Sequence, residues 1–116
     1  MRRHLVARRN YDLGFSLENT VCLELMRRGY EVYVGKVGRT EVDFIARRGD
    51  EVHYYQVTAS ITEQTTFDRE IAPLRAISDN YPKTILTLDR FTMGNYDGIK
   101  VINAVDWLLG RSLVMS

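Results

Sequence analysis

Two β-type runs, Glu41-Val42-Asp43-Phe44-Ile45-Ala46 and Val52-His53-Tyr54-Tyr55-Gln56-Val57-Thr58, flank the link Arg47-Arg48-Gly49-Asp50-Glu51. Runs rich in β-branched and aromatic residues around a polar, glycine-containing link read as a hairpin. In the second run Val52, Tyr54, Gln56 and Thr58 share one face, and His53, Tyr55 and Val57 share the other, because successive strand side chains point to opposite sides. Both faces are partly apolar, so this strand is expected to be central and covered on both sides. Asp43, Gln56 and Thr58 are then polar groups at inward-facing positions, where each needs a partner.

The chain has 116 residues, a length that suits one domain with one hydrophobic core. A composition of 45% hydrophobic and 27% charged residues is that of a globular protein and argues against disorder. No apolar run approaches the roughly 20 residues needed to span a bilayer, and the N-terminus has no signal-peptide core. A membrane partner is therefore not expected, and the expected location is cytoplasmic. The lone cysteine, Cys22, makes no internal disulfide, metal cluster or redox pair.

Net charge is +1, unevenly spread: residues 1–50 carry ten Lys/Arg against seven Asp/Glu, and residues 51–116 carry six against eight. The basic groups come as doublets, Arg2-Arg3, Arg8-Arg9, Arg27-Arg28 and Arg47-Arg48. Together with Lys36 and Arg39, the doublets Arg27-Arg28 and Arg47-Arg48 are the candidate phosphate contacts of a nucleic-acid surface. The bland alternative is solvated helix ends and turns.

Residues 1–10 read as a basic strand or arm that begins abruptly, as if cut from a longer chain. A helix is expected over 16–28, with Ser16 as N-cap, Glu18 in its first turn, and Arg27-Arg28 before a C′ glycine, Gly29. Glu18 lies three, four and seven residues before Val21, Cys22 and Leu25, on the apolar stripe. An acid there needs a partner, a metal or a raised pKa, unless it sits at the helix edge and is stabilised by the dipole. A strand over 31–35 leads into a flexible loop over 35–40. A helix over 65–79, kinked or split by Pro73, precedes a strand over 83–88, a polar loop over 89–98 and a last strand over 99–102. Asn103 then caps a short helix, with Asp106 at its third position, that buries Trp107 and ends at Gly110. The order implies an α/β fold with a mixed sheet: a meander, then a crossover helix bringing a parallel strand beside the central one.

A Mg²⁺-dependent phosphodiesterase needs hard oxygen ligands and a group that positions or deprotonates water. Glu18 from the helix, with Asp43, Gln56 and Thr58 from the hairpin, is the candidate converging set; Glu41 shares the strand face of Asp43. Glu18, Asp43 and Gln56 are the candidate metal ligands, and Thr58 brings no ammonium. One positioned electrostatic group is often worth ~3 kcal/mol, so its absence lowers the expected rate by orders of magnitude. Lys36, in the glycine-containing loop, is the cation that could move into the gap. His4 and His53 lack metal-ligand spacing. Thr58, Ser60 and Thr62 read as loop-capping hydroxyls, and Tyr54 and Tyr55 as sheet residues. Gly35-Lys36-Val37-Gly38 is too short for a phosphate-binding loop, and no Walker motif is present.

Asp12-Leu13-Gly14, Leu17-Glu18-Asn19, the run from Arg27-Arg28-Gly29-Tyr30 to Gly35-Lys36, Glu41-Val42-Asp43-Phe44-Ile45, Tyr55-Gln56-Val57 and Asp79-Asn80-Tyr81-Pro82-Lys83 stand in one order. This set resembles the C-terminal domain of unknown function carried by prokaryotic AAA-type ATP-binding proteins, a domain similar to the PD-(D/E)XK, or restriction-endonuclease-like, fold. The resemblance covers the chain from Arg8 to Gly110. It implies an αβββαβ core, with a mixed central sheet flanked by helices. Carried over residue by residue, the helix acid falls on Glu18, the strand acid on Asp43, the second acid on Gln56 and the lysine on Thr58.

The last two depart from the catalytic pattern. The expectation is a degenerate nuclease-fold accessory domain that binds DNA or RNA or packs on an AAA-type ATPase, in cis or in trans, with no cofactor. The alternatives are an active endonuclease or resolvase that uses Mg²⁺, and a purely structural homo-oligomerising domain.

Overall fold

The structure, a computed structural model, describes residues 13–90 and 94–110; the expected arm over 1–10 lies outside the described residues. Helix α1 (Leu13–Arg27) is followed by strands β1 (Glu31–Val37), β2 (Thr40–Arg48) and β3 (Glu51–Thr58), then α2 (Gln64–Arg75), β4 (Lys83–Thr87), β5 (Gly94–Tyr96), β6 (Ile99–Asn103) and α3 (Ala104–Leu108). The six strands form one mixed sheet in the order β1-β2-β3-β4-β6-β5. β1, β2 and β3 are antiparallel neighbours, β4 runs parallel to both β3 and β6, and β5 pairs antiparallel with β6. The expected α/β class, meander and parallel crossover are all present.

Local chemistry sets the boundaries. α1 starts at Leu13, so Ser16 is inside the helix instead of capping it, and Glu18 lies beyond the first turn. At the other end the Tyr30 N–H donates to Leu25 C=O at 3.1 Å and the Gly29 N–H to Met26 C=O at 3.0 Å, with Gly29 at φ +95°. This is a Schellman stop, which requires the left-handed residue that glycine supplies without steric cost. The two hairpins of the meander are tighter than expected. β1 and β2 pair up to Val37–Thr40, and β2 and β3 up to Arg48–Glu51. Only Gly38-Arg39 and Gly49-Asp50 remain in the turns, each with positive φ at its glycine, the type II′ geometry that suits sheet twist. Lys36 is thus a strand residue opposite Glu41.

α2 runs through Pro73 and stops two residues later at Arg75, short of the expected 79. The region expected as a polar loop contains β5, joined to β6 by Asp97-Gly98 with φ of 59° and 85°, a type I′ turn. Asn103 caps α3 as expected, its side chain accepting from the Asp106 N–H at 3.0 Å.

α1 and α3 cover one face of the sheet, where Leu17, Val21 and Leu25 pack on Phe44, Tyr55, Val57 and Trp107. α2 covers the other, where Ile71 and Leu74 pack with Val42, Tyr54, Ile85 and Val101. β4 lies between them, buried along its whole length. Its first residue, Lys83, is a buried cation whose ammonium donates to Asp79 C=O (2.8 Å), Asp79 Oδ1 (3.1 Å) and Tyr81 C=O (2.9 Å). The Tyr54 hydroxyl donates to Asp79 Oδ2 at 2.7 Å. Burial opposes ionisation of Asp79, but Tyr54, the Tyr81 N–H and Lys83 outweigh it and hold the carboxyl below its usual value. Burial and the same carboxylate push Tyr54 up to about 12.

Replacing Lys83 with Met should lower stability by about 2 kcal/mol in urea unfolding, because buried carbonyls lose their donor. A depressed acid contributes stability above its unfolded value that is lost as pH falls through the folded value. Wild-type stability should therefore decline below about pH 4, and Lys83→Met should show a shallower decline over that window.

Candidate functional site

The register of β2 slips at Asp43. Tyr33 pairs with Ile45 and Gly35 with Val42, so Asp43 and Phe44 together stand opposite Val34 alone. This is a β-bulge, and its effect on side-chain direction is visible in the packing: Val42 and Ile45 both face α2, whereas Phe44 and Ala46 face α1. The β2–β3 ladder stops at Phe44–Tyr55 for the same reason. Below it the two strands are joined by a reciprocal exchange. The Asp43 N–H donates to Gln56 Oε1 at 2.7 Å, and the Val57 N–H donates to Asp43 Oδ2 at 2.9 Å. Gln56 is buried, and its Nε2 donates to the Glu70 carbonyl of α2 at 3.2 Å and lies 3.5 Å from Glu70 Oε1.

Above this latch is an open cleft of about 300 Å³ lined by Val34, Gly35, Glu41, Val42, Asp43 and Gln56. Of the expected site residues, the structure brings Asp43 and Gln56 into contact and places Glu41 beside them. Glu18 is buried on α1, and α1 packs on the face of β3 that carries Tyr55 and Val57. Gln56 reaches α2 from the opposite face. The Thr58 hydroxyl donates to Ser60 C=O at 3.3 Å, while the Ser60 and Thr62 hydroxyls lie 3.1 Å apart. That is the loop-capping role expected of these hydroxyls.

Glu70 was not singled out from the sequence, although the test applied to Glu18 finds it. It lies three residues after Phe67 and four before Leu74, on the buried stripe of its helix.

Magnesium demands near-octahedral oxygen coordination at about 2.1 Å. Gln56 has one side-chain oxygen, and it already accepts from Asp43; one carboxylate oxygen of Asp43 already accepts from Val57. Both oxygens are thus engaged in holding β2 to β3, each through one of its lone pairs. Among the described residues no group of three His, Cys, Asp or Glu gathers to hold a metal.

The six candidate basic residues do not form one surface. Arg27 and Arg28 both bind Glu24, at 2.7 Å each, and these hydrogen bonds hold the Glu24 carboxyl at about 2. Arg28 also donates to Trp107 C=O at 2.7 Å and stacks 4.3 Å from the indole, tying α1 to α3. Arg48 donates to Arg28 C=O at 2.8 Å, pairs with Glu51 and stacks on Tyr30. Lys36, Arg39 and Arg47 are exposed. Arg47 stands at the far end of β2 from the other two, roughly 25 Å away at 3.3 Å per strand residue.

No family model matches the chain. The chain is 45% identical over 109 residues to an uncharacterized protein of Haemophilus influenzae, an alignment covering 94% of this chain and 26% of the relative. It thus spans about a quarter of the length of the curated relative it matches. No helix of the described residues is long and apolar enough to cross a membrane.

Two substitutions separate a latch from a ligand. Asp43→Asn keeps an oxygen for the Val57 N–H and should cost less than about 1 kcal/mol, whereas Asp43→Ala should cost about 1–3 kcal/mol, read by chemical denaturation. Gln56→Glu removes the donor to Glu70 and sets a second carboxylate against Asp43, so its folded-state pKa should be raised. The deficit relative to wild type should be full at neutral pH and shrink below about pH 5, as protonation restores a donor.

Proposed function

We propose that this chain is a restriction-endonuclease-like accessory module of an AAA-type ATP-binding protein, in which the hairpin that would hold a catalytic metal has become a structural latch. Its work is association with the ATPase portion, in cis or in trans, and not phosphodiester cleavage. The reciprocal Asp43–Gln56 hydrogen bonding carries this reading. Gln56 uses both ends of its amide at once, the oxygen toward Asp43 and the nitrogen toward α2. A glutamate could accept at the first contact and could not donate at the second, so the neutral amide belongs to the packing.

Three further observations support it. Thr58 occupies the lysine position and turns to the Ser60 carbonyl. Arg28 and Arg48 hold helix ends and turns together, which favours packing on a protein over an extended phosphate contact. The alignment occupies about a quarter of a longer relative, as a module of a larger protein would.

The test is incubation with Mg²⁺ or Mn²⁺ and single- or double-stranded DNA and RNA. No cleavage above the Asp43→Ala background is expected. Nucleic-acid binding should be weak at physiological salt, well above the 10⁻⁸ M range typical of specific binding. Metal-dependent cleavage that Asp43→Ala abolishes would overturn the proposal.

A further inference from the structure

We propose that His53 is a proton-responsive link between the β2–β3 hairpin and α3. Neutral, it completes a ladder of rings that holds the two together; protonated, it loosens α3. The proposal goes beyond the nuclease-fold reading and does not depend on it. The ladder starts where the Arg48 guanidinium lies 4.4 Å from the centre of the Tyr30 ring. Tyr30 meets His53 edge to face with centroids 5.5 Å apart, and His53 stacks on Tyr55 at 6.2 Å with the planes 21° apart. Tyr55 meets Trp107 at 5.7 Å, and the Arg28 guanidinium lies 4.3 Å from the indole. The end of α1, the hairpin and α3 thus meet through one line of side chains, with a guanidinium at each end and His53 inside it.

Neutral rings packed edge to face or offset attract one another. An imidazolium in the same place gives up hydration, and Tyr30 already faces one cation, Arg48. The acids beside the ladder are engaged as well. Glu24 binds Arg28 at 2.7 Å, and Glu51, on the strand of His53, binds Arg48 at 3.0 Å and the Tyr30 hydroxyl at 3.3 Å. Ala46, opposite His53 on β2, brings no charge. Burial is the largest influence, and Arg48 adds to it, so the imidazole is held below its usual value against the attraction of Glu51. A base held down in the fold contributes stability that is complete above its unfolded value, about 6.5, and is lost as pH falls through the folded one. That window lies at higher pH than the one set by Asp79.

In NMR spectra of the full chain His53 should titrate below about pH 6.5, with His4→Gln assigning its resonance. Trp107 is buried and is the only tryptophan, so its quenching by acrylamide reads the α3 end of the ladder. Quenching should rise between about pH 7 and pH 5 with the midpoint of His53, and the thermal midpoint should fall by a few degrees. His53→Gln should abolish both changes. Arg48→Gln, an exposed change that removes a like charge and frees Glu51, should move the His53 midpoint and the quenching transition upward together. A His53 midpoint at or above about 6.5 would overturn the inference. So would quenching that does not change with pH, that still changes in His53→Gln, or that fails to follow the His53 midpoint in Arg48→Gln.

Discussion

The exchange of hydrogen bonds between Asp43 and Gln56 is the constraint on which the layout of this molecule depends. A bulged residue interrupts a ladder, and the backbone amides it releases must be satisfied nearby or carry a desolvation cost. Here side chains stand in for the missing backbone partners: Gln56 takes the Asp43 N–H and Asp43 takes the Val57 N–H. The bulge lets β2 present Val42 and Ile45 to α2 while Phe44 and Ala46 face α1. The remaining end of Gln56 fastens α2 to β3. One pair of residues therefore connects the meander to the crossover helix.

Charged groups elsewhere do similar work. Lys83 gathers the 79–81 turn at the head of β4, and Arg28 and Arg48 bind the end of α1 to α3 and to the β2–β3 turn. A guanidinium satisfies carbonyls and carboxylates while its flat face covers an aromatic ring, so arginine suits these junctions better than lysine would. Of the two doublets that suggested phosphate contacts, Arg28 and Arg48 are this cement. A sequence shows that a cation is present but not whether its partner is a phosphate, a carboxylate or a carbonyl distant in the chain.

Much of the architecture was legible. The periodicity of β3 showed a central strand with two covered faces, and Asn103 three residues before Asp106 marked the start of α3. Arg27-Arg28-Gly29 marked the end of α1. The misses have local causes. β5 is Gly-Asn-Tyr, too short and too polar to show alternation, and only the Asp97-Gly98 turn signals it. Ser16 offered a plausible cap, but the helix extends past it toward Leu13. At the candidate site, the structure brings Asp43 and Gln56 into contact, and it buries Glu18 on α1, which packs on the face of β3 opposite to Gln56. Helix periodicity identifies the buried side of α1, but it does not say which face of the sheet that side will meet.

The sequence by itself determined the elements other than β5, their order, the central place of β3 and the chemical identity of its inward polar residues, because these follow from side-chain period, turn residues and caps. Only the tertiary structure decided what those polar residues do. The bulge at Asp43, the reach of Gln56 to an α2 carbonyl and the packing of α1 and α2 on opposite faces of β3 depend on how layers stack. Stacking is set by long-range packing, which local preferences do not encode. Two residues that read as half of a metal site became, once folded, each other's hydrogen-bond partners.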